Sequence, residues 1–158
     1  MTQEERKLLL KDLCCRLPYG VKISWRNDEV EYKVFELTSI TSKKCESYKE
    51  DGKELAVNGE YIEWRLNENK MGKFYKFATL CEFIKPYLRP MSSMTEEEKI
   101  KLTSYLAAER IASQNGINEV LRAQRNTTNF IYSLHLDLLG LIEKGLALEA
   151  PDGMYKEN

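Results

Sequence analysis

Residues 21–34, VKISWRNDEVEYKV, set the rhythm from which the fold class follows. Val21, Ile23 and Trp25 occupy one phase and Lys22, Ser24 and Arg26 the other; after Asn27-Asp28, Val30, Tyr32 and Val34 repeat the alternation. A period of two is that of a strand with one face buried, so the stretch predicts a β-hairpin. Working outward, Asp51-Gly52 and Asn58-Gly59 predict two further hairpin turns, because these residues tolerate the positive φ that tight turns require. Ile62, Trp64 and Leu66 then alternate with Tyr61, Glu63 and Arg65, and another strand is expected near 73–77 after a turn at 69–72. Five or six short antiparallel strands over about 20–83 make a meander, which at this size is expected to curl into a small barrel or a strongly bent sheet to limit exposed edges. Val21, Ile23, Trp25, Val34, Ile62, Trp64 and, further on, Leu102 are the expected core.

Helical signals flank this region. Thr2 and Glu5 have the spacing of a capping box, in which hydroxyl and carboxylate each satisfy an amide at a helix start, and predict a helix over 3–15 that Pro18 and Gly20 end. Pro86 and Pro90 hold 85–90, KPYLRP, extended, and the segment reads as a stiff joint between sheet and helices. On that reading Tyr87 and Leu88 insert between the two parts while Lys85 and Arg89 stay at the rim. Thr95 and Glu98 form a second capping box for a helix over 96–115 that stops at Gly116. A helix over 118–125, an interruption at the polar run 126–129, a resumption over 130–139 and a short helix at 141–145 complete the reading. The expected fold is α+β: an N-terminal helix, a small antiparallel β-meander or barrel-like sheet, and a C-terminal helical part. The expected organisation is a helix plus β unit over 1–90 and a helical unit over 91–158 packed on it, with one single domain as the alternative.

The charge balance narrows the function. With 24 basic and 25 acidic residues the net charge is −1, so the overall attraction that drives non-specific nucleic-acid binding is absent and any such binding must be local. The N-terminus has acids and a short leucine run in place of a signal sequence, and no stretch reaches the ~18 apolar residues of a membrane span, which predicts a cytoplasmic protein without a membrane partner. Cys14, Cys15, Cys45 and Cys81 include no C-x-x-C pair, which predicts reduced thiols and no metal site. The phosphate-cradling glycine loops, the nucleophile elbow and the zinc-protease helix motif are all missing from the sequence, so no cofactor and no enzymatic activity are expected.

Two constellations remain. Between Trp64 and Arg89, Arg65, Lys73, Lys76, Lys85 and Arg89 interleave with aromatic residues including Tyr75 and Tyr87. Cations that track phosphates and rings that stack on bases hold single-stranded nucleic acid, whereas strand alternation alone would give inward rings beneath solvated lysines. His135 and Asp137 could serve a hydrolase, the imidazole as base and the carboxylate as its orienter, but residues two apart on a helix point away from each other. The leading expectation is a non-enzymatic binding or accessory protein acting on a protein partner. Single-stranded nucleic-acid binding is the alternative, and a hydrolase around His135 the weaker one.

Three stretches, LCCRLPYGVKI at 13–23, IKPYLRPMSSMTEEEK at 84–99 and GLIEKGLALEAPDGMY at 140–155, resemble a family of short proteins encoded in gut Bacteroides genomes, often in prophages or mobile elements. Members often carry H-x-D-Y-R-G-L-I before the tail; His135, Asp137, Gly140, Leu141 and Ile142 match it, while Leu138 and Leu139 stand at the tyrosine and arginine positions. The resemblance implies the bacterial cytosol and element biology, and it brings no established activity.

Overall fold

A computed structural model describes residues 1–27, 30–50, 53–68, 73–80 and 84–155, with the side chains of 1–24, 34, 36, 37, 40 and 84–155. The chain forms two compact units, Met1–Tyr87 and Leu88–Asn158. The elements in chain order are α1 (Gln3–Arg16), β1 (Lys22–Asn27), β2 (Val30–Glu50), β3 (Lys53–Glu68), β4 (Lys73–Leu80), β5 (Ile84–Leu88), α2 (Glu96–Ala112), α3 (Ile117–Ser133) and the two-residue β6 (Leu148–Glu149). The architecture is α+β.

In the first unit α1 begins at the Thr2 capping box: the Glu5 amide donates to Thr2 Oγ1 at 3.2 Å and the Thr2 amide to Glu5 Oε2 at 2.7 Å. Its buried stripe is Leu9, Asp12, Leu13 and Arg16, the i, i+3, i+4, i+7 face of a helix. Asp12 and Arg16, one turn apart, form a bidentate ion pair at 2.7 and 2.9 Å with both side chains fully buried.

The strands of this unit run in the order β4-β3-β2-β1-β5, and each of these pairings is antiparallel. The sheet is open and does not close into the expected barrel. Three reversals fall where turns were expected: Asn27 pairs with Val30, Glu50 with Lys53 and Glu68 with Lys73. Asp28, Asp51-Gly52 and 69–72 themselves lie outside the described residues. Asn58-Gly59 is no turn. It sits inside β3, where Cys45 pairs with Gly59 and Ser47 with Ala56, so Val57 and Asn58 stand against Glu46 alone. A bulge of this kind needs residues with backbone latitude, the same property that makes Asn-Gly resemble a turn.

The phase of β2 is also opposite to expectation. Val34 is 49% exposed, whereas Ile23 pairs with Phe35, and Leu37 is buried. In a run with Val34 and Phe35 adjacent, either phase is apolar, and a slip of one residue exchanges the faces. Val21 and Ile23 are buried as expected and Leu102 is half-buried; the side chains of Trp25, Ile62 and Trp64 lie outside the described ones.

The proline segment is part of the sheet. Ile23 pairs with Pro86 and Trp25 with Ile84, and burial alternates through Ile84, Pro86 and Leu88. Tyr87, expected to be inserted, is half-buried in the opposite phase with Lys85. An extended segment with φ near −65° suits a strand that can spare one donor.

In the second unit α2 starts at its capping box, with Glu98 N to Thr95 Oγ1 at 3.2 Å and Thr95 N to Glu98 Oε2 at 2.8 Å. It ends at Ala112, ahead of the expected 115, and Gly116 opens α3 with φ 111° and ψ 165°. The polar run 126–129 does not interrupt α3. Thr127 and Thr128 donate their hydroxyls to the carbonyls of Ala123 and Gln124, at 3.2 and 2.8 Å, so they bond within the helix and leave its backbone ladder in place. Past α3 the expected helical resumption ends at Ser133, and 140–145 is a set of hydrogen-bonded turns in place of the expected short helix. β6 lies beside Leu88, whose carbonyl accepts from the Ala150 amide at 2.8 Å.

Candidate functional site

The end of α3 explains the His-x-Asp run. With Leu134 as C-cap, His135 takes φ 54°, its amide donates to the Tyr132 carbonyl at 3.0 Å, and the Leu136 amide to the Ile131 carbonyl at 3.2 Å. This is a Schellman motif, with Leu136 and Ile131 both buried as its apolar contact. His135 therefore holds a position at which glycine is usual. Its carbonyl accepts from the Arg89 amide at 2.8 Å, and the Asp137 amide donates to the Arg89 carbonyl at 2.8 Å, so Arg89 is laced to the chain on both sides of Leu136. Asp137 uses both carboxylate oxygens on the next turn, accepting from the amides of Leu141 at 2.8 Å and Ile142 at 2.9 Å. The His135 ring stacks on Tyr155, with centroids 3.7 Å apart and planes 16° apart.

The Arg89 side chain reaches the start of α2. Its NH1 and NH2 donate to Glu98 Oε1 and Oε2 at 2.9 Å each, and NH2 also donates to the Ser93 carbonyl at 3.1 Å. Glu98 thereby serves the cap and the ion pair together. The fork of Arg89, followed by the Thr95 amide, holds the Glu98 carboxyl below the usual carboxylate range, against the opposing effect of its burial.

These groups border a cleft of about 570 Å³, whose lining includes Arg89, Ser93, Glu98, Glu149, Asp152 and Tyr155. Its volume is that of a small-ligand pocket. The hydroxyls of Ser93 and Ser133 donate to the carbonyls of Pro90 and Phe130, at 2.8 and 2.7 Å, and Thr95 Oγ1 accepts the helix cap bond.

A second concavity, of about 270 Å³, lies between α2 and α3 and is lined by Tyr105, Ala108, Ile111, Ala112 and Ala123 together with the polar Glu119, Arg122 and other residues. Tyr105 meets Phe130 at 5.1 Å across the helix pair, and Lys101 Nζ lies 5.3 Å from the Phe130 centroid. Around this hairpin Ile100, Leu106, Ile111, Ile117 and Leu121 are 51–68% exposed. Sequence reasoning missed them, because the capping signals locate helix ends and do not reveal which apolar residues find partners.

The basic-aromatic candidates come from β3, β4, β5 and the residue after it. Arg65 pairs with Lys76 and Leu66 with Tyr75. Lys73 pairs with Glu68. The side chains of Arg65, Lys73, Tyr75 and Lys76 lie outside the described ones. Lys85 and Tyr87 are half-buried on β5, and Arg89 belongs to the second unit with its charge held by Glu98. Among the described residues no group of three or more His, Cys, Asp and Glu side chains is arranged to hold a metal ion, and no helix is long and apolar enough to cross a membrane. Cys14 is exposed and Cys15 half-buried, and burial and the neighbouring thiol push the Cys14 thiol up. Compared with protein-family models, curated proteins and solved structures, the chain matches none.

Proposed function

We propose that the chain is a non-enzymatic binding protein that works through contacts with another protein, in the setting of a prophage or mobile element. The observation that carries this reading is the α2–α3 hairpin, on which five large aliphatic side chains are left more than half exposed. Leaving apolar area in water forgoes about 25 cal/mol per Å², a loss that a binding surface recovers when its partner arrives. Ile111, Ile117 and Leu121 lie near the reversal between the helices, where a partner has access to both.

The nucleic-acid reading draws less support, since Glu98 occupies the charge of Arg89. The hydrolase reading draws less still, because the Asp137 carboxylate is spent on two amides. The test is chemical cross-linking in the native host with mass spectrometry. Replacing Ile111 and Leu121 by Glu should leave the helical circular dichroism unchanged and abolish the cross-links of the wild type. Unchanged cross-links would remove the hairpin as the docking surface, and salt-sensitive retention of single-stranded DNA by the wild type would favour the alternative.

A further inference from the structure

We propose that β2 is a self-association edge, on which a second copy of this chain adds its own β2 antiparallel about a two-fold axis through Cys45. The proposal is independent of the α2–α3 hairpin. β1 pairs with β2 only as far as Glu36, and the next contact on that side is the Leu37 amide on the Val21 carbonyl. From Thr38 to Glu50, β2 pairs with β3 alone among the described residues. That leaves a long row of backbone donors and acceptors on its other flank, the template on which strand addition works.

Charge along this edge selects the occupant and the register. Directly paired residues of an antiparallel ladder are either both hydrogen-bonded or both not, so two identical edges meet only with the two-fold axis on a residue. The edge reads TSITSKKCESYKE over 38–50. Axes at Lys43, Lys44 or Lys49 set a lysine against its own mate. An axis at Glu46 sets that glutamate against itself and Lys43 against Lys49, and an axis at Tyr48 sets Glu46 against Glu50. Axes nearer Thr38 pair no opposite charges. Cys45 and Ser47 remain: both avoid like-charge pairs, and both bring Lys44 opposite an acid, Glu46 or Glu50 respectively. The Cys45 axis uses the open run from Ile40 to Glu50, all but its first two residues, and the Ser47 axis only its end from Lys44. Opposite charges across a ladder attract and like charges repel, so the longer register without repulsion is favoured. An isologous edge of this kind closes on itself as a dimer.

The Cys45 axis also supplies its own probe. Residues directly opposite in an antiparallel ladder have Cα atoms about 4.5–5.5 Å apart, within the reach of a disulfide. A variant with Cys14, Cys15 and Cys81 changed to Ser and Cys45 kept should sediment as a dimer, and diamide should convert it to a single cross-linked species. Moving the cysteine to Ser47 in a Cys45→Ser background should cut the cross-linking rate at least tenfold, because Ser47 then faces Lys43 of the mate. Glu46→Lys should weaken the dimer about tenfold, and Lys44→Glu added to it should restore the dimer. The far-ultraviolet circular dichroism of each variant, compared with the wild type, shows that the fold is retained. A monomer at all concentrations up to ~100 μM overturns the proposal, and so does a dimer that cross-links equally well from both positions.

Discussion

His135 occupies a backbone conformation that non-glycine residues avoid, with φ 54°, and its ring lies flat on Tyr155. The two facts oppose each other energetically. The left-handed conformation costs about 1–2 kcal/mol relative to glycine, while a ring stack returns about 0.5–1.5 kcal/mol. His135→Gly should therefore change unfolding free energy little, whereas His135→Ala, which keeps the strain and loses the ring, should fall below it by about 1 kcal/mol in urea titration. Equal stability of the Gly and Ala variants would show that the position is not held by the α3 C-terminus. Glu98 gives a pH-dependent case. Its carboxyl is depressed in the folded state by Arg89 and the Thr95 amide, so the stability it contributes is fully present above its unfolded value, about 4.3, and is lost as pH falls through the lower folded value. Glu98→Gln should flatten that acid limb of a stability profile between pH 5 and 2. An unchanged limb would assign it to other carboxylates.

At the scale of the element, caps were legible and continuations were not. Thr2 with Glu5 and Thr95 with Glu98 each satisfy amides within one turn, so their spacing alone located both helix starts. Thr95→Ala should cost about 1 kcal/mol. Gly116, read as a stop, is the N-cap of α3, and its φ and ψ lie in a region that only glycine occupies comfortably. Space is not the constraint there, since a Cβ would meet nothing within 4 Å. Gly116→Ala should nevertheless destabilise by about 1–3 kcal/mol through backbone strain, and no loss in a thermal melt would mean that the junction reshapes freely. Asn58-Gly59 and the 126–129 run were misread for a common reason. Local chemistry says what a residue tolerates, while the ladder or the helix around it decides which tolerance is used. The phase of β2 and the coupling of Arg89 to Glu98 depend on partners distant in sequence, which no local period encodes.

The whole molecule divides at Tyr87 and Leu88, inside β5. The alternating burial of this strand continues across the boundary, which on its own argues for the two units unfolding together. The hydrogen bonds argue otherwise. Pairing of β5 with β1 involves Ile84, Lys85 and Pro86, whereas every tie described for the second unit begins at Leu88 or later: Leu88 to Ala150, Arg89 to His135 and Asp137, and Arg89 to Glu98. Contiguous groups of bonds that share no member can open separately. Two probes distinguish the units without labelling. Both tryptophans, Trp25 and Trp64, belong to the first, while α2 and α3 with 17 residues each outweigh the 14 of α1 in the helical signal. Arg89→Ala removes a bidentate pair whose partners are 22% and 18% exposed, an interaction better shielded than a surface ion pair, and it leaves Glu98 only the cap. The melting midpoint followed by circular dichroism at 222 nm should fall by several degrees in this variant, while the midpoint followed by tryptophan fluorescence stays within about one degree of the wild type. If both midpoints fall together, the strand couples the units and the chain unfolds as one cooperative body.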